Sequence, residues 1–499
     1  MTHDYVVIGA GTAGCVLAAR LSEDPDVRVA LLEAGPATGP PAMASPSPGA
    51  VLALRGSAVD WAYVTVPQPG TDGAVHRWPR GRVLGGSSSI NAMTHVRGHR
   101  SGYDAWARHG AAGWDYAGLL PFFRRSEQTR GRDPALRGTD GPMVIEDGPP
   151  AGPWAQATYD AAVAAGHPAT EDGNGAHAEG VSWNEANVTA GRRQSAADAY
   201  LRPVLGRPNL TVLTETTARR LLLDGSRCAG VACDGPGGPL VVRADREVVL
   251  SAGVIGSPQL LLLSGIGPAD HLRDVGVEVH ADLPGVGAGL QDHPLSWVAY
   301  AAARPHDGGL FRQARVLASS GDAGPDLELS FAAAALEPRW SGARPDGYSI
   351  FFSVVDPASR GSLRLRSADP AQPPLIDPAY LSDERDVTRM VAGLRLALDI
   401  GAAAPLAPWR GAELLPGAGT RDDAACRAYV RRTTTSYFHP AGTCRIGTGE
   451  RAVVDPALRV HGIDSLRVAD ASVMPSLVSA PLNATVLAIA ERAASLIAG

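Results

Sequence analysis

The sequence is poor in cysteine, and the spacing of its few cysteines excludes two common kinds of stabilised protein. The 499 residues include Cys15, Cys228, Cys233, Cys426 and Cys444, an odd number without the paired spacing of a metal site. We therefore expect neither a disulfide scaffold nor a zinc site, and no metal ion in the functional site.

Three further features that the sequence lacks concern its partners and its compartment. No basic run stands out and the net charge is −6, which argues against binding to nucleic acid or to an anionic membrane. No uninterrupted apolar run reaches the about 18 residues of a transmembrane helix. The first apolar run begins by residue 5, which leaves no room for a signal peptide. We expect a cytoplasmic protein that binds a small molecule and no membrane; its oligomeric state is left open.

Near the start of the chain, an apolar run leads into a glycine-rich turn. Residues 5–8 are apolar, residues 9–14 contain three glycines, and a helical pattern follows. Glycine lets the backbone approach phosphates, and the free N–H groups of a helix start face their negative charge. A second apolar run, residues 27–32, ends in Glu33, where a carboxylate can accept hydrogen bonds from an adenosine ribose. The pattern predicts a dinucleotide site, and the alternative is an ordinary βαβ turn.

The remaining patterns predict a second domain. Short strand-like runs between residues 205 and 253 alternate as hairpins do and then return to a buried strand that ends in small residues. Between about residues 295 and 430 the dinucleotide signals stop, and short β-like runs accompany a helix-like segment at residues 386–400. We predict an α/β Rossmann-like domain with a parallel sheet, and an α+β substrate domain on an antiparallel sheet. The first would comprise residues 1–150, 190–294 and 431–499, and the second residues 151–189 and 295–430.

Six ordered segments carry the strongest signal in the chain. They are residues 79–91, 257–268, 283–294, 437–444, 466–475 and 481–485. Together they resemble, from end to end, the glucose–methanol–choline (GMC) family of flavin oxidoreductases. The resemblance implies the GMC fold and an FAD cofactor.

The resemblance also assigns site residues. It places the catalytic pair at His439 and Asn483. Together with the glycine-rich turn, it places the contacts to FAD at Gly9, Gly11, Thr12, Ala13, Gly14, Glu33, Ala34, Arg82, Val83, Gly85, Gly86, Asn91, Ala92, Met93, Thr94, Val212, Ala252, Asp470, Ala471, Ala484 and Thr485.

The chemistry of alcohol oxidation gives His439 and Asn483 separate roles. Hydride leaves an alcohol carbon most easily once the hydroxyl proton is leaving, so a base must lie within hydrogen-bond reach of that oxygen. Histidine, with an ordinary pKa of about 6.5, accepts a proton at neutral pH. The amide of Asn483 can hold the oxygen as a preorganised dipole. Read alone, His439 is also compatible with a packed loop histidine, and Asn483 with a helix N-cap.

Other histidines lie in or near the motifs but receive no catalytic role. We interpret His95, His99, His293 and His461 as structural or solvent-facing.

Two departures from family patterns narrow the prediction. Ile90 stands where choline-oxidase-like members carry the histidine that bonds covalently to the flavin, so the resemblance implies non-covalent FAD. Asn483 stands where glucose-oxidase-like members carry a second histidine. The chain is therefore nearest to choline-dehydrogenase-like, hydroxymethylfurfural-oxidase-like and aryl-alcohol-oxidase-like members.

The substrate is predicted from three residues. Phe438, directly before the proposed base, would favour a flat apolar alcohol by stacking, although simple packing is the alternative. Phe351 and Ser353 are predicted to form part of the opposing wall, because family members use a strand of the substrate domain there.

The predicted reaction is oxidation of a primary alcohol of benzylic, furanic or allylic type to an aldehyde, with the proton passing to His439 and the hydride to flavin N5. Reoxidation by O2 or by another acceptor remains open, with O2 slightly favoured by Phe438. The alternatives are a hydroxynitrile lyase, a specialised oxidase of a large biosynthetic intermediate, and a flavin-binding protein without catalysis.

Overall fold

Ten α-helices lie in the residues that the structure describes. The computed structural model describes residues 1–147, 152–306, 313–321 and 324–499. The α-helices in these ranges are Thr12–Leu21, Pro48–Leu54, Arg100–Arg108, Tyr116–Ser126, Pro153–Ala164, Gly253–Leu263, Ala269–Asp274, Glu384–Ala402, Asp423–Thr433 and Asn483–Ala498. Among the described residues, no helix combines the length and the apolar character needed to cross a bilayer.

The first large sheet is mainly parallel and leads into the glycine-rich turn. Its strands, in spatial order, are Leu210–Leu213, Val29–Leu32, Thr2–Ile8, Gly238–Leu250, Arg227–Gly235 and Thr217–Asp224, and Leu466–Val468 also pairs with Gly238–Leu250. Strand Val29–Leu32 is buried at every residue, as expected where helices cover both faces of a parallel sheet. Its neighbours on both sides run parallel to it.

One long strand belongs to both parts of this sheet. The first half of Gly238–Leu250 pairs antiparallel with Arg227–Gly235, and its second half pairs parallel with Thr2–Ile8. The exposed Asp245 and Arg246 interrupt the apolar pattern, so the sequence alone does not mark these residues as one strand. The predicted antiparallel hairpins and the parallel sheet are therefore joined by one continuous strand, Gly238–Leu250.

The second large sheet is antiparallel. Its strands, in spatial order, are Arg410–Leu415, Pro294–Ala302, Gly347–Val354, Leu327–Ala332, Ala314–Ala318 and Gly180–Trp183, and Thr435–Ser436 also pairs with Pro294–Ala302. Helix Glu384–Ala402, two residues longer at each end than the predicted segment, packs on this sheet. The contact is close at Gly393, where a Cβ atom would lie 3.2 Å from the Phe352 ring.

Shorter strands of the described residues pair in six small sheets of two or three strands. They are Tyr63–Val64, Arg77–Trp78, Glu127–Gln128, Met143–Val144, Val188–Thr189, Arg192–Arg193, Ile266–Gly267, Ala281–Asp282, Ala288–Leu290, Ala335–Leu336, Ala343–Arg344, Gly361–Arg364 and Leu375–Asp377.

The fold class is confirmed: a parallel sheet between helices, and an α+β region on an antiparallel sheet. The exact division into domains remains a prediction. The pairing of Thr435–Ser436 with Pro294–Ala302 links two segments across the predicted boundaries. This link positions the segment that contains the predicted base, His439, against the antiparallel sheet.

Candidate active site

Most of the predicted site residues line one cavity of about 1140 Å³. Ligand pockets commonly measure about 300–1,000 Å³, so this one suits a large cofactor together with a substrate. The predicted residues that line it are Gly9, Gly11, Thr12, Ala13, Glu33, Ala34, Gly86, Asn91, Ala92, Met93, Thr94, Ala252, Phe351, Phe438, His439, Asp470, Ala471 and Asn483.

The other predicted residues do not line this cavity. They are Gly14, Arg82, Val83, Gly85, Val212, Ser353, Ala484 and Thr485. Gly14 packs against the turn, where a Cβ atom would lie 1.8 Å from the Gly9 carbonyl oxygen. Thr485 pairs its hydroxyl with that of Tyr103 at 2.9 Å. Ser353 is buried, and its hydroxyl donates to the Val354 carbonyl rather than facing the cavity.

The glycine-rich turn forms a cradle for an anion. Helix Thr12–Leu21 starts after Gly11, which has no side chain to cap the first free N–H groups. Gly86 approaches this point with a φ of 52°, and a Cβ atom there would lie 2.7 Å from Gly11 Cα. A positive helix end that side chains cannot fill fits the pyrophosphate of FAD.

Glu33 lies at the far edge of the same turn. Its carboxylate accepts hydrogen bonds from the backbone N–H groups of Ala10 at 3.0 Å and Gly35 at 2.8 Å. Burial raises the pKa of Glu33 to about 7, against the opposing effect of these two hydrogen bonds. The carboxylate is therefore held in place at the cavity, with lone pairs left for the ribose hydroxyls that the sequence predicts.

The backbone at His439 is fixed by a buried carboxylate. Asp292 accepts hydrogen bonds from the His439 backbone N–H at 2.7 Å and from the Ser436 hydroxyl at 2.5 Å. Phe438, between them, adopts a left-handed φ of 66°, and its carbonyl accepts from Arg80 Nη2 at 2.8 Å. Burial raises the pKa of Asp292 to about 6. These contacts hold a strained turn that presents the His439 ring to the cavity.

The His439 ring contacts a second histidine that the sequence did not identify as functional. His439 Nδ1 and His293 Nδ1 lie 3.0 Å apart, with the rings nearly perpendicular. Burial lowers the pKa of His293 to about 3. Burial also lowers the pKa of His439 well below its ordinary value, and the nearby His293 and Arg80 lower it further. Both rings are therefore neutral at physiological pH.

The prediction that His293 is structural or solvent-facing missed this contact. His293 is fully buried, and it follows Asp292, which holds the His439 backbone. Its motif was recognised, but 146 residues separate it from His439. The pairing of Pro294–Ala302 with Thr435–Ser436, and the hydrogen bond from the Tyr437 N–H to the His293 carbonyl, bring the two rings together.

Asn483 begins the final helix but is not its N-cap, because that position belongs to Leu482. Its Oδ1 accepts a hydrogen bond from the Thr12 hydroxyl at 3.0 Å. Its Nδ2 is buried without a hydrogen-bond partner in the described residues. A buried amide that lacks a partner is costly, so this donor points to a group that a bound molecule supplies.

An aromatic wall continues from the His439 turn. The ring of Trp340 lies 6.1 Å from that of Phe438 and 5.7 Å from that of Phe351, measured between centroids. The guanidinium of Arg55 lies over the Trp340 and Phe438 rings at 4.8 and 4.7 Å. Sequence reasoning missed Arg55 and Trp340, since each is an isolated residue with no motif around it.

A further buried pair supports this wall. The Tyr437 hydroxyl donates to Glu328 at 2.9 Å, and Arg315 forms an ion pair with the same carboxylate at 2.8 Å. The Tyr437 ring lies 4.4 Å from the His439 ring. Glu328 lines the cavity, but its charge is already balanced by Arg315.

Within the described ranges, no group of three His, Cys, Asp or Glu side chains is placed to hold a metal ion.

Comparison with family models gives two matches. A model described as GMC oxidoreductase matches residues 3–295, and a second with the same description matches residues 357–490. Together they cover most of the chain.

Comparison with individual proteins gives relatives that match over the full length. Mitochondrial choline dehydrogenase of Mus musculus is 41% identical, covering 100% of this chain and 89% of that protein. Oxygen-dependent choline dehydrogenase of Brucella ovis is 38% identical, covering 100% and 96%. Pyridoxine 4-oxidase from Mesorbium loti superposes with a TM-score of 0.95 and 39% identity, covering 99% and 98% of the two chains. A fungal aryl-alcohol oxidase superposes with a TM-score of 0.85 and 26% identity, covering 99% and 98%.

Proposed function

Because the chain belongs to the GMC oxidoreductase family and is an FAD-dependent alcohol oxidoreductase, we propose that its substrate is a primary alcohol on a flat aromatic or furan ring, which it oxidises to the aldehyde. The observation that carries this proposal is the aromatic wall of Phe438, Trp340 and Phe351 beside His439. Aromatic side chains favour flat π-systems over compact aliphatic groups.

FAD is held non-covalently. The uncapped turn at residues 9–14 suits its pyrophosphate, and Glu33 suits its ribose. Ile90, in the cavity wall, has no nucleophilic atom for a covalent bond. When bound, FAD supplies the acceptor for the hydride of the carbinol carbon.

His439 takes the hydroxyl proton in this proposal. Its Nδ1 is engaged by His293 Nδ1, and a hydrogen bond between these two nitrogens requires that only one of them carries the proton. If the proton lies on Nδ1 of His439, its Nε2 keeps a free lone pair and can act as the base. The lowered pKa of His439 keeps the ring neutral and ready to accept.

Asn483 holds the substrate oxygen. Its free Nδ2 donor, buried at the cavity, offers a hydrogen bond to the alkoxide-like oxygen that develops as the proton leaves. The Thr12 hydroxyl donates to Oδ1, which leaves Nδ2 as the free end of the amide. Proton removal and charge stabilisation thus fall on two preorganised side chains.

The names of two relatives support this substrate class, and the names of two others point to choline as the main alternative substrate. The names of the pyridoxine 4-oxidase and the aryl-alcohol oxidase point to alcohols on aromatic rings and to dioxygen as acceptor, which we propose here too. The choline dehydrogenases, by name, act on a compact cation. Aromatic faces also attract a quaternary ammonium, but the guanidinium of Arg55 over this wall opposes a cation. A direct comparison of substrates decides between them.

The test is an anaerobic titration of the holoenzyme, followed by flavin absorbance. Benzyl alcohol, hydroxymethylfurfural, pyridoxine and choline are added separately, and air is then admitted. We expect the ring alcohols to bleach the flavin and air to restore it within seconds. Bleaching by choline alone would contradict the proposed substrate class. No bleaching by any alcohol would contradict alcohol oxidation of this class and favour a lyase or a larger substrate.

A further inference from the structure

Arg55 places a positive charge in the substrate end of the cavity. It ends the short helix Pro48–Leu54, and its side chain lines the cavity. Its guanidinium carbon lies 4.7 Å from the Phe438 ring and 4.8 Å from the Trp340 ring. Arg55, Phe438 and His439 all line this cavity, so the charge and the proposed base face the same space.

The charge of Arg55 is not balanced by an acid. In the described ranges, no ion pair or hydrogen bond joins its guanidinium to another residue. The carboxylate of Asp60, the acid that acts on it electrostatically, is instead engaged by the backbone N–H groups of Gly56 at 2.7 Å and Ala62 at 2.9 Å. Burial lowers the pKa of Arg55 to about 10, so the group remains protonated at neutral pH.

A second free donor lies beside this charge. The indole Nε1 of Trp340 is buried and has no hydrogen-bond partner in the part of the chain that the structure describes. The nearby carboxylate of Glu328 does not compensate either donor, since Arg315 and the Tyr437 hydroxyl already bind it. The indole N–H lacks an acceptor, and no acid in the described residues pairs with the guanidinium beside it, so an anion bound here would interact favourably with both groups.

We propose that Arg55 and Trp340 form an anion subsite that binds a carboxylate or phosphate group carried on the substrate ring. This inference rests on the proposed function, because it assumes that the ring lies along the aromatic wall. The planar guanidinium fork matches carboxylate and phosphate oxygens, and such charge-assisted hydrogen bonds are stronger in a partly desolvated site. The same charge disfavours a quaternary ammonium alcohol such as choline.

Equilibrium binding of inert ligands to the oxidised holoenzyme tests the subsite without turnover. 4-Methylbenzoate and the neutral 4-methylbenzamide have nearly the same shape, and neither carries a hydroxyl to oxidise. Perturbation of the flavin absorbance reports their affinities. We expect the acid to bind at least about tenfold more tightly than the amide, in keeping with hydrogen bonds to a charged group.

The variants assign that preference to Arg55. Arg55→Met keeps an apolar stem without the charge, and Arg55→Lys keeps the charge without the fork. We expect Arg55→Met to remove the preference for the acid and Arg55→Lys to retain part of it. The ratio of FAD to protein in each purified variant shows whether the cofactor site is intact.

The two anion classes are separated by a third ligand, 4-methylphenyl phosphate. Tighter binding than the benzoate assigns the subsite to phosphate, and weaker binding assigns it to carboxylate. Equal affinity of acid and amide in the wild-type protein, binding of neither, or an acid preference that survives in Arg55→Met would overturn the proposal. The titration with benzyl alcohol is independent, so failure of the proposed reaction and failure of the subsite remain distinguishable.

Discussion

Replacement of His293 by leucine is the most informative change in the active site. Leucine fills a similar apolar volume but cannot accept the hydrogen bond from His439 Nδ1. The two nitrogens lie 3.0 Å apart, and His293 is fully buried, so water does not readily take its place. The leucine variant therefore isolates the role of the histidine pair from that of the base itself.

The structure gives the expected size of the effect. A buried donor left without its partner costs about 1–3 kcal/mol. This cost falls on the tautomer of His439 that has a free Nε2, so the fraction of protein with an active base decreases. About 1.4 kcal/mol corresponds to a tenfold decrease in that fraction. We expect flavin reduction in His293→Leu to slow by roughly 5- to 150-fold.

The pH dependence should change as well. In the wild-type protein, burial, His293 and Arg80 all lower the pKa of His439, while Asp292 contacts only its backbone and the Tyr437 ring packs nearby. A base must be unprotonated, so the reduction rate falls as pH falls through its pKa. The wild-type rate should stay level to well below pH 6.5. Loss of His293 removes one lowering effect, so the acid limb should move to higher pH.

Anaerobic stopped-flow reduction by benzyl alcohol, measured across pH, provides the assay. His293→Asn is the matched control, because its amide oxygen can accept the hydrogen bond from His439 and should restore part of the rate. The ratio of FAD to protein and the thermal unfolding midpoint show whether each variant is folded. The reasoning is refuted if His293→Leu reduces the flavin at the wild-type rate with the wild-type pH profile, or if asparagine rescues nothing.

Three further predictions concern the proposed base, its amide partner and the cofactor cradle. His439→Ala should reduce the flavin at least a hundredfold more slowly while retaining FAD; an unchanged rate would remove the base assignment. Asn483→Ala deletes the free Nδ2 donor and should slow reduction by about 10²–10³-fold at similar FAD content, as for other lost oxyanion donors; a change in alcohol binding alone would assign it to ground-state contacts. Gly86→Ala adds a Cβ atom 2.7 Å from Gly11 Cα, so the purified variant should contain less FAD, and a full complement would show that the turn can shift.

Much of the fold follows from local pattern. The apolar run before the glycines, the turn and the helix after them predict a strand, an anion cradle and its helix, because each property depends on neighbouring residues. The same holds for strand Val29–Leu32, where burial on both faces demands a continuous apolar run. The long strand Gly238–Leu250 is not recognisable as one strand from its pattern, since exposed polar residues interrupt the pattern although the hydrogen bonds continue.

The candidate site was predictable only where a motif surrounds the residue. His439 and Asn483 lie in such segments, and both line the cavity. Ser353 was expected at the wall beside Phe351. The two residues are two positions apart and share a face of the strand, but Ser353 is fully buried and only Phe351 lines the cavity.

The sequence by itself predicted the parallel nucleotide-binding core, because short-range backbone geometry specifies it. Its resemblance to the family predicted the flavin cradle and the proposed base. The tertiary structure alone decided what surrounds the base. His293 reaches His439 through pairing of strands far apart in the chain, and Arg55 reaches Phe438 and Trp340 from separate segments. Tautomer, pKa and substrate charge preference depend on such long-range contacts, since desolvation and electrostatics act through space rather than along the chain.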